Sequence, residues 1–235
     1  MKADTIVSEL TGTLRSGGAA LVGFADMHEV PADARLGLPR AVSIAVALKP
    51  AIIAGIADGP TAEYYGEYMR ANALLDALGA SAAGILQRHG YQAQAASATT
   101  SHYDRATLVT RLPHKTAATR AGLGWIGKCA LLVTTDFGPA VRLTTVLTDA
   151  PLPCGQPVND SGCGACDACV EVCPGHAPSG RQWRLGLARA DFFDAFACEK
   201  AAHSLALQRT GIDHTFCGMC IAACPWTQAY IRQAM

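Results

Sequence analysis

Hydrophobic positions in the first ninety residues predict alternating helices and strands. Apolar residues recur at helical spacing over 5–14, and short apolar runs at 19–24 and 41–48 predict strands, the second of them buried. A long helical pattern follows over 61–89, and Gly90 predicts its C-terminal end. Internal glycines leave open whether this pattern is one helix or two.

The next sixty residues continue the mixture of both element types. We expect a strand over 92–96, a helix over 113–122, and strands over 130–134 and 141–147. A segment rich in Pro, Gly, Asn and Asp then predicts a connecting loop over 150–162. The chain is therefore predicted to be an α/β (α+β) protein, with one domain over 1–150 and a second over 151–235.

Composition and charge narrow the class of protein. Half of the 235 residues are hydrophobic, which suffices for a core, and 19 basic residues balance 19 acidic ones. A nucleic-acid binder that works by bulk charge is therefore not expected. Lys49-Pro50 interrupts the longest apolar stretch, and Asp4 and Glu9 lie where a signal peptide needs an apolar run. We therefore expect no membrane partner and a cytoplasmic location.

Cysteine is distributed very unevenly. None of the ten cysteines lies in 1–128, and most of them lie in 163–224. A reducing compartment disfavours disulfides, so this density points to metal or redox chemistry. Cys129 and Cys154 stand apart from the dense segment; we interpret the first as a buried inert thiol and the second as a loop thiol.

The dense segment contains two related motifs. The first, Cys-x2-Cys-x2-Cys-x3-Cys-Pro over 163–174, is the run with which bacterial ferredoxins bind [4Fe–4S] clusters. The second, Cys-x2-Cys-x3-Cys-Pro over 217–225, is a shortened copy without its third cysteine, and Cys198 can supply the missing ligand. Structural zinc sites are the alternative, but a zinc site does not require the full four-cysteine run.

The ligand assignment crosses between the two motifs. In two-cluster ferredoxins, the cysteine before proline ligates the other cluster. One predicted cluster therefore uses Cys163, Cys166, Cys169 and Cys224. The other uses Cys173, Cys198, Cys217 and Cys220. Small residues beside these ligands would let backbone N–H groups approach the sulfurs and tune the reduction potential.

A basic segment precedes the cysteine-rich segment. Residues 102–128 contain two histidines, His102 and His114, one acid, Asp104, and the basic residues Arg105, Arg111, Lys115, Arg120 and Lys128. An anion site and a solvated basic face both fit this excess. Its glycine pattern, Gly122-x-Gly124-x-x-Gly127, lies between a predicted helix and a strand, the reverse of a dinucleotide site. A packed corner holding Trp125, with Lys128 as a donor, is the preferred interpretation.

Several motifs together resemble the epoxyqueuosine reductases and their shorter relatives. The matching stretches are RAGLGWIGK, LLVTTDFG, VLTDAPL, CGACDACVEVCP and CGMCIAACPW, all within 105–230. These proteins are similar in turn to the core of the corrinoid-dependent reductive dehalogenases. The resemblance implies a nitroreductase-like N-terminal α/β domain that holds cobalamin, with flavin as the less favoured alternative. A ferredoxin-like module with two [4Fe–4S] clusters follows and passes electrons singly to the corrinoid.

The resemblance also implies site residues. Leu108 occupies the position where the epoxyqueuosine reductases carry an Asp proton donor. His114 is the candidate catalytic replacement, because histidine supplies protons near neutral pH; capping or packing at a helix start is the alternative. Lys115, Trp125 and Lys128 are the candidate cofactor contacts.

Three hypotheses follow. The first is an oxidoreductase that reduces a small substrate through the cofactor. The second is an electron-transfer protein that docks a partner enzyme, and the third is a cobalamin reductase or escort. The expected partners are an electron donor such as a ferredoxin or flavodoxin, a small molecule or a corrinoid, and a second copy of the chain, since nitroreductase-like domains often pair.

Overall fold

The computed structural model describes residues 2–99 and 103–234, with only the backbone of Lys2 and Ala3. His102 of the basic segment lies outside these residues. The helices are α1 Lys2–Ser16, α2 Pro50–Ala54, α3 Ala62–Arg88, α4 His114–Arg120, α5 Ala168–Glu171, α6 Ala195–Thr210, α7 Met219–Ala222 and α8 Pro225–Ala234. The strands are β1 Leu21–Asp26, β2 Arg40–Ala47, β3 Ala93–Ala95, β4 Trp125–Ile126, β5 Leu132–Val133 and β6 Val141–Thr148.

The chain divides into two compact units that interleave in sequence. Unit 1 comprises 1–47, 70–123 and 142–158, and unit 2 comprises 48–69, 124–141 and 159–235. The chain thus passes between units at several points, one of them 158/159, inside the predicted connecting loop. The division into 1–150 and 151–235 stays a prediction.

Unit 1 is built on a sheet in the order β1-β2-β6-β3. β1 pairs antiparallel with β2, from Leu21 opposite Ala45 to Asp26 opposite Arg40, and β3 pairs antiparallel with β6. The interior of β2 is an uninterrupted buried run, as expected of a central strand. Apolar residues three and four positions apart on α1 are also fully buried: Ile6, Leu10 and Leu14.

Close packing explains two features of unit 1. α3 is one helix, and Gly79 within it faces β3 and β6: a Cβ there would meet Ala95 at 3.5 Å and Thr144 at 3.6 Å. The backbone of β1 is approached still more closely at Gly23, where a Cβ would lie 2.8 Å from Leu123. The segment after α4 therefore packs directly on the sheet.

Unit 2 holds the cysteine-rich segment around short elements. β4 pairs antiparallel with β5, with Trp125 opposite Val133. α2 packs near α8, and the Tyr230 hydroxyl donates to the Leu48 carbonyl at 3.0 Å. α6 begins at an Asp194 cap, whose carboxylate accepts from two backbone N–H groups, and ends at Gly211 with φ of 72°. These caps fix the helix that carries Cys198.

The predicted helices and strands of residues 2–99 and 103–148 are confirmed, with ends that shift by a few residues. The mixed α/β class is confirmed as well. The nitroreductase-like and ferredoxin-like descriptions of its parts stay predictions. In the part of the chain that is described, none of the helices has the length and apolar character that a bilayer span needs.

Candidate metal centre

The eight predicted ligand cysteines all lie in unit 2, and each is partly buried. All ten cysteines of the chain are free thiols. A tight turn sets the spacing of the first two cysteines of the first run, because the Cys166 N–H donates to the Cys163 carbonyl at 3.1 Å. Cys169 then lies on α5, and Cys173 follows its end.

Cys224, which belongs to the second run, lies near the cysteines that begin the first run. The pKa of Cys224 is raised mainly by burial and further by the neighbouring charges of Cys163 and Cys166. These sulfurs are therefore close enough to interact. The structure brings together three of the four ligands predicted for the first cluster.

The second group forms around Cys198 of α6. Burial raises the pKa of Cys198 to about 11, and the nearby thiols of Cys173 and Cys217 add to the effect. Cys217 in turn interacts with Cys173, across the two runs. Cys198, whose position no motif specifies, thus lies beside two of the ligands predicted for the same cluster.

Backbone N–H groups point at several of these sulfurs. The Ala177 N–H donates to Cys173 Sγ at 3.4 Å, and the Met219 N–H donates to Cys217. The N–H groups of Trp226 and Thr227 both donate to Cys224. Such donors favour the thiolate over the thiol, which is the form that binds metal.

Cys129 lies at the same place, which the sequence did not indicate. This buried thiol interacts electrostatically with Cys169 and Cys220, and a Cβ at Gly127 would lie 3.5 Å from the sulfurs of both Cys129 and Cys163. It therefore lies near predicted ligands of both clusters. No spacing rule connects Cys129 with either run, so only the packing of the β4–β5 hairpin could reveal it.

The glycine-rich corner packs against the cysteine run. A Cβ at Gly124 would overlap the Val133 carbonyl oxygen, and Gly124 has φ of 157°. At Gly127 a Cβ would lie 2.7 Å from Val133 Cγ2 and 3.5 Å from Cys163 Sγ. These glycines are thus required by close backbone packing.

Trp125 packs between the segments that carry Cys163 and Cys224, two of the ligands predicted for the first cluster. A Cβ at Gly162, which precedes Cys163, would lie 3.0 Å from its indole ring. On another side Trp125 meets Trp226, two residues after Cys224, edge-on with centroids 5.6 Å apart. Its Nε1 is buried and has no hydrogen-bond partner among the described residues. The predicted cofactor contact is thus adjacent to the cysteines.

Lys128 is held inside unit 2. Its Nζ donates to Asp167 Oδ1 at 2.7 Å, and the Lys128 side chain is 5% exposed against 47% for Asp167. Asp167 lies within the first cysteine run, and the Lys128 charge favours the Cys169 thiolate, although Cys129 and burial raise the pKa of Cys169 overall. Lys128 therefore stabilises the cysteine loop, and its role as a cofactor contact stays a prediction.

The basic segment does not converge into one anion site. Arg120 is 3% exposed, and it donates to Glu29 at 3.0 Å and to the Val158 carbonyl at 2.9 Å. Arg120 belongs to unit 1, whereas Lys128 belongs to unit 2. These two basic residues are buried in ion pairs within their own units, so they contribute neither to a shared anion site nor to a solvated basic face.

His114 uses both ring nitrogens inside unit 1. Nε2 lies 2.9 Å from the Ser97 carbonyl, an acceptor, so Nε2–H donates there, and Nδ1 then accepts from the Thr145 hydroxyl at 3.0 Å. Burial lowers the pKa of His114, which keeps the ring neutral. Both nitrogens being engaged, the geometry favours the packing alternative over the catalytic proton donor expected from the sequence.

Residues 104–108, which precede His114 in the sequence, form a tight turn. Leu108 has φ of 53° in a turn where the Asp104 carboxylate accepts from the Ala106 N–H and the Thr107 hydroxyl, each at 2.8 Å. Asp104 is thus committed to this turn, and its hydrogen bonds lower its pKa. Lys115 is partly buried in the first turn of α4.

The donor set fits iron–sulfur clusters. Within 2–99 and 103–234, no group of three or more His, Cys, Asp or Glu side chains lies close enough together to hold one metal ion. The ligands of a four-iron cluster bind separate iron atoms and stand farther apart than ligands of a single ion. Thiolates are also the ligands that such clusters use.

Comparison with known sequences agrees with this donor set. The model of the 4Fe-4S double cluster binding domain matches residues 162–227. The chain is 47% identical to the epoxyqueuosine reductase of Escherichia coli (strain K12) over 57 residues, 24% of this chain and 15% of that protein. It is 34% identical to the epoxyqueuosine reductase of Pseudomonas aeruginosa over 115 residues, 48% of this chain and 31% of that protein. These matches span well under half of each relative.

Solved structures share the fold along almost the whole chain. A catabolic reductive dehalogenase in complex with 3-bromo-4-hydroxybenzoic acid superposes with a TM-score of 0.69 at 20% identity, covering 96% of this chain and 33% of that one. An epoxyqueuosine reductase with a tRNA-Tyr stem loop gives 0.61 at 18% identity, covering 97% and 67%. The expected resemblance is confirmed: residues 162–227 match a 4Fe-4S double cluster binding domain, and the chain is similar to epoxyqueuosine reductases and has the fold that those reductases share with the reductive dehalogenases.

Proposed function

We propose that this chain is an iron–sulfur oxidoreductase whose unit 2 binds two [4Fe–4S] clusters. Cys163, Cys166, Cys169 and Cys224 would hold the first cluster. Cys173, Cys198, Cys217 and Cys220 would hold the second. The observation that carries the proposal is the crossing of the runs: Cys224 lies beside the first run, and Cys198 lies beside Cys173 and Cys217.

The chain's own residues prepare these sites. Burial raises the pKa values of Cys198, Cys217 and Cys224, so cluster assembly would release their protons. Backbone N–H groups at Cys173, Cys217 and Cys224 would then stabilise the added negative charge, and Trp125 with Trp226 would exclude water from one side. When bound, such clusters store and pass single electrons.

A corrinoid is the proposed acceptor of these electrons, held by residues of 1–150. The support is the fold shared with reductive dehalogenases, since the structure of one of them suggests a mechanism for B12-dependent dehalogenation. Two of the three residues predicted to contact it have partners in unit 2: Lys128 donates to Asp167, and Trp125 packs among the cysteine segments. Flavin is the less favoured acceptor.

The proposed substrate is a small molecule. One matching structure contains a tRNA stem loop, so nucleic acid is the competing substrate class. We favour a small molecule because the net charge is zero and because Arg120 and Lys128 are engaged in internal ion pairs. A tRNA transcript that changes the mobility of the protein in a native gel would contradict this choice.

The proposal also includes an electron donor, a cellular location and a second copy of the chain. Electrons would come from a ferredoxin or flavodoxin in the cytoplasm, and the nitroreductase-like part would pair two copies. The second candidate function is electron transfer without catalysis, and the third is reduction or escort of cobalamin for another protein. Both retain the clusters and differ in what residues 1–150 bind.

Cluster content is the first test. Protein purified without air should contain about eight irons and eight sulfides per chain, as two [4Fe–4S] clusters require. Dithionite should then produce a paramagnetic signal. A content of four irons per chain would mean that the protein binds only one cluster. Zinc in a colourless, diamagnetic preparation would refute the proposal.

Cofactor binding is the second test. The anaerobic protein is incubated with cobalamin, or separately with FMN, and desalted, and its absorbance spectrum is recorded. A retained corrinoid spectrum supports the oxidoreductase, and turnover with candidate substrates then separates it from the escort. Loss of both cofactors on desalting would favour the electron carrier.

A further inference from the structure

Trp125 carries a buried hydrogen-bond donor that the fold does not use. The Nε1 atom of its indole is shielded from solvent, and no acceptor among the residues that the structure describes lies within hydrogen-bonding distance. Buried polar groups in folded proteins almost always have a partner, because a donor that gives up water without gaining another acceptor is destabilising. The surroundings of this N–H group therefore indicate which acceptor it serves.

The indole ring faces the first cysteine run. A Cβ at Gly162 would lie 3.0 Å from Trp125 Cε2, the ring carbon bonded to Nε1, and 3.1 Å from Cδ2. Gly162 immediately precedes Cys163. The segment that carries Trp125 approaches this cysteine again two residues later, because a Cβ at Gly127 would lie 3.5 Å from Cys163 Sγ. The buried N–H group is thus next to the start of the first predicted cluster site.

The second cysteine run borders the same ring within unit 2. Trp226 meets Trp125 edge-on, with centroids 5.6 Å apart and ring planes at 74°. Only Pro225 separates Trp226 from Cys224. Cys163 and Cys224 come from different runs, yet both are predicted ligands of the first cluster. Trp125 therefore has, on two sides, the segments of two ligands that one cluster would share.

We propose that the indole Nε1–H of Trp125 donates a hydrogen bond to a sulfur atom of the [4Fe–4S] cluster bound at the first site. The inference rests on the proposed function. Thiolate and sulfide sulfurs accept hydrogen bonds, and they are the acceptors that cluster assembly would bring to this place. Such a bond stabilises the more negative, reduced cluster and therefore raises its reduction potential.

Two substitutions separate the N–H group from the ring that carries it. Trp125→Phe removes the donor and keeps an aromatic ring. Trp183→Phe is the matched control, because Trp183 is also buried in unit 2, where it packs with Ile126 and Phe192. Iron and sulfide are measured for each full-length variant, purified without air. Redox titration followed by electron paramagnetic resonance gives the midpoint potentials of both clusters, and the first cluster is the one whose signal Cys224→Ser removes.

A second measurement uses the wild-type protein with ¹⁵N in the indole rings of its tryptophans. Pulsed electron paramagnetic resonance of the reduced protein detects nitrogen nuclei that are coupled to the spin of a cluster. A hydrogen bond from Nε1 to a cluster sulfur gives a ¹⁵N coupling, which Trp125→Phe abolishes and Trp183→Phe retains. If Trp125→Phe fails to assemble the first cluster, the wild-type spectrum decides alone.

The expected result is a lower midpoint potential of the first cluster in Trp125→Phe, with the second cluster unchanged and with both potentials at wild-type values in Trp183→Phe. An intact first cluster with an unchanged potential in Trp125→Phe would refute the hydrogen bond, as would wild-type protein that has both clusters but no ¹⁵N coupling. Equal shifts in both variants would assign the effect to ring packing and would also refute it. Wild-type protein without clusters would instead refute the proposed function.

Discussion

Buried polar groups serve different ends in the two units. In unit 1, His114 has a carbonyl on one ring nitrogen and a hydroxyl on the other, and Arg120 has Glu29 and a carbonyl. In unit 2, burial and then two neighbouring cysteines raise the pKa of Cys198. Hydrogen bonds within the fold satisfy the first kind of group, whereas thiols gathered together gain their full stabilisation by binding metal. Metal binding is therefore expected in unit 2.

The largest effect expected from this contrast is at Cys224. Cys224→Ser should remove about four irons, those of the first cluster, although Cys224 belongs to the second run, because its sulfur lies beside Cys163 and Cys166. Iron analysis and the paramagnetic spectra of the remaining cluster provide the measurement.

Cys154→Ser is the control for this experiment. Cys154 lies in unit 1, where its Sγ donates to the Leu152 carbonyl at 3.4 Å, so its iron content should stay at the wild-type level. Loss of the Cys173 cluster alone in Cys224→Ser would contradict the crossed assignment.

The elements of unit 1 were predictable because their periodicity is local. The buried face of α1 and the apolar run of β2 are written in consecutive residues, and both elements occur as expected. The cysteine motifs were predictable for a similar reason, since each ligand spacing spans one turn. α3 was ambiguous because Gly79 looks like a helix breaker until the sheet that it packs on is known.

The environment of a single side chain was not predictable from spacing. Lys128 and His114 carry groups suited to binding and catalysis, but their partners, Asp167 and Thr145, lie 39 and 31 residues away along the chain. Only the tertiary fold shows that those groups are already engaged. Cys129 illustrates the converse, because a residue that no motif includes lies among the proposed ligands.

A smaller effect should come from the buried ion pair beside the first cysteine run. Asp167→Asn leaves the Lys128 ammonium buried without a counter-charge, so it should destabilise the protein by about 1–3 kcal/mol, less than for a fully buried pair because Asp167 is half exposed. The measurement is the thermal midpoint of the cluster-loaded protein.

The double variant sharpens this prediction. Replacing both partners, with Lys128→Met and Asp167→Asn together, should cost less than Asp167→Asn alone, because no uncompensated charge stays buried. A double variant less stable than Asp167→Asn would show that Lys128 acts through contacts other than this pair.

The smallest effect is expected in unit 1. His114→Gln loses part of the link between Ser97 and Thr145, so it should lower local stability by about 1–2 kcal/mol at pH 8 while leaving the iron content unchanged. Hydrogen exchange of peptides that cover α4 and β6 provides the measurement. A normal iron content together with faster exchange in α4 and β6 would show that the substitution acts on unit 1 and not on the clusters.

The pH dependence of that difference identifies its cause. Burial lowers the pKa of His114 below the value of about 6.5 for an unfolded histidine, so the unfolded state binds more protons in acid. The stabilisation is complete above that value and is lost as the pH falls through the lower folded-state pKa. The difference between wild type and His114→Gln should therefore shrink below about pH 6.5. His28→Gln, which alters a histidine whose side chain is 60% exposed in the same unit, should not reproduce this trend. A difference that is constant from pH 8 to pH 5.5 would mean that folding does not change the pKa of His114, and the contrast between hydrogen-bonded polar groups in unit 1 and metal-binding thiols in unit 2 would then lose its clearest example.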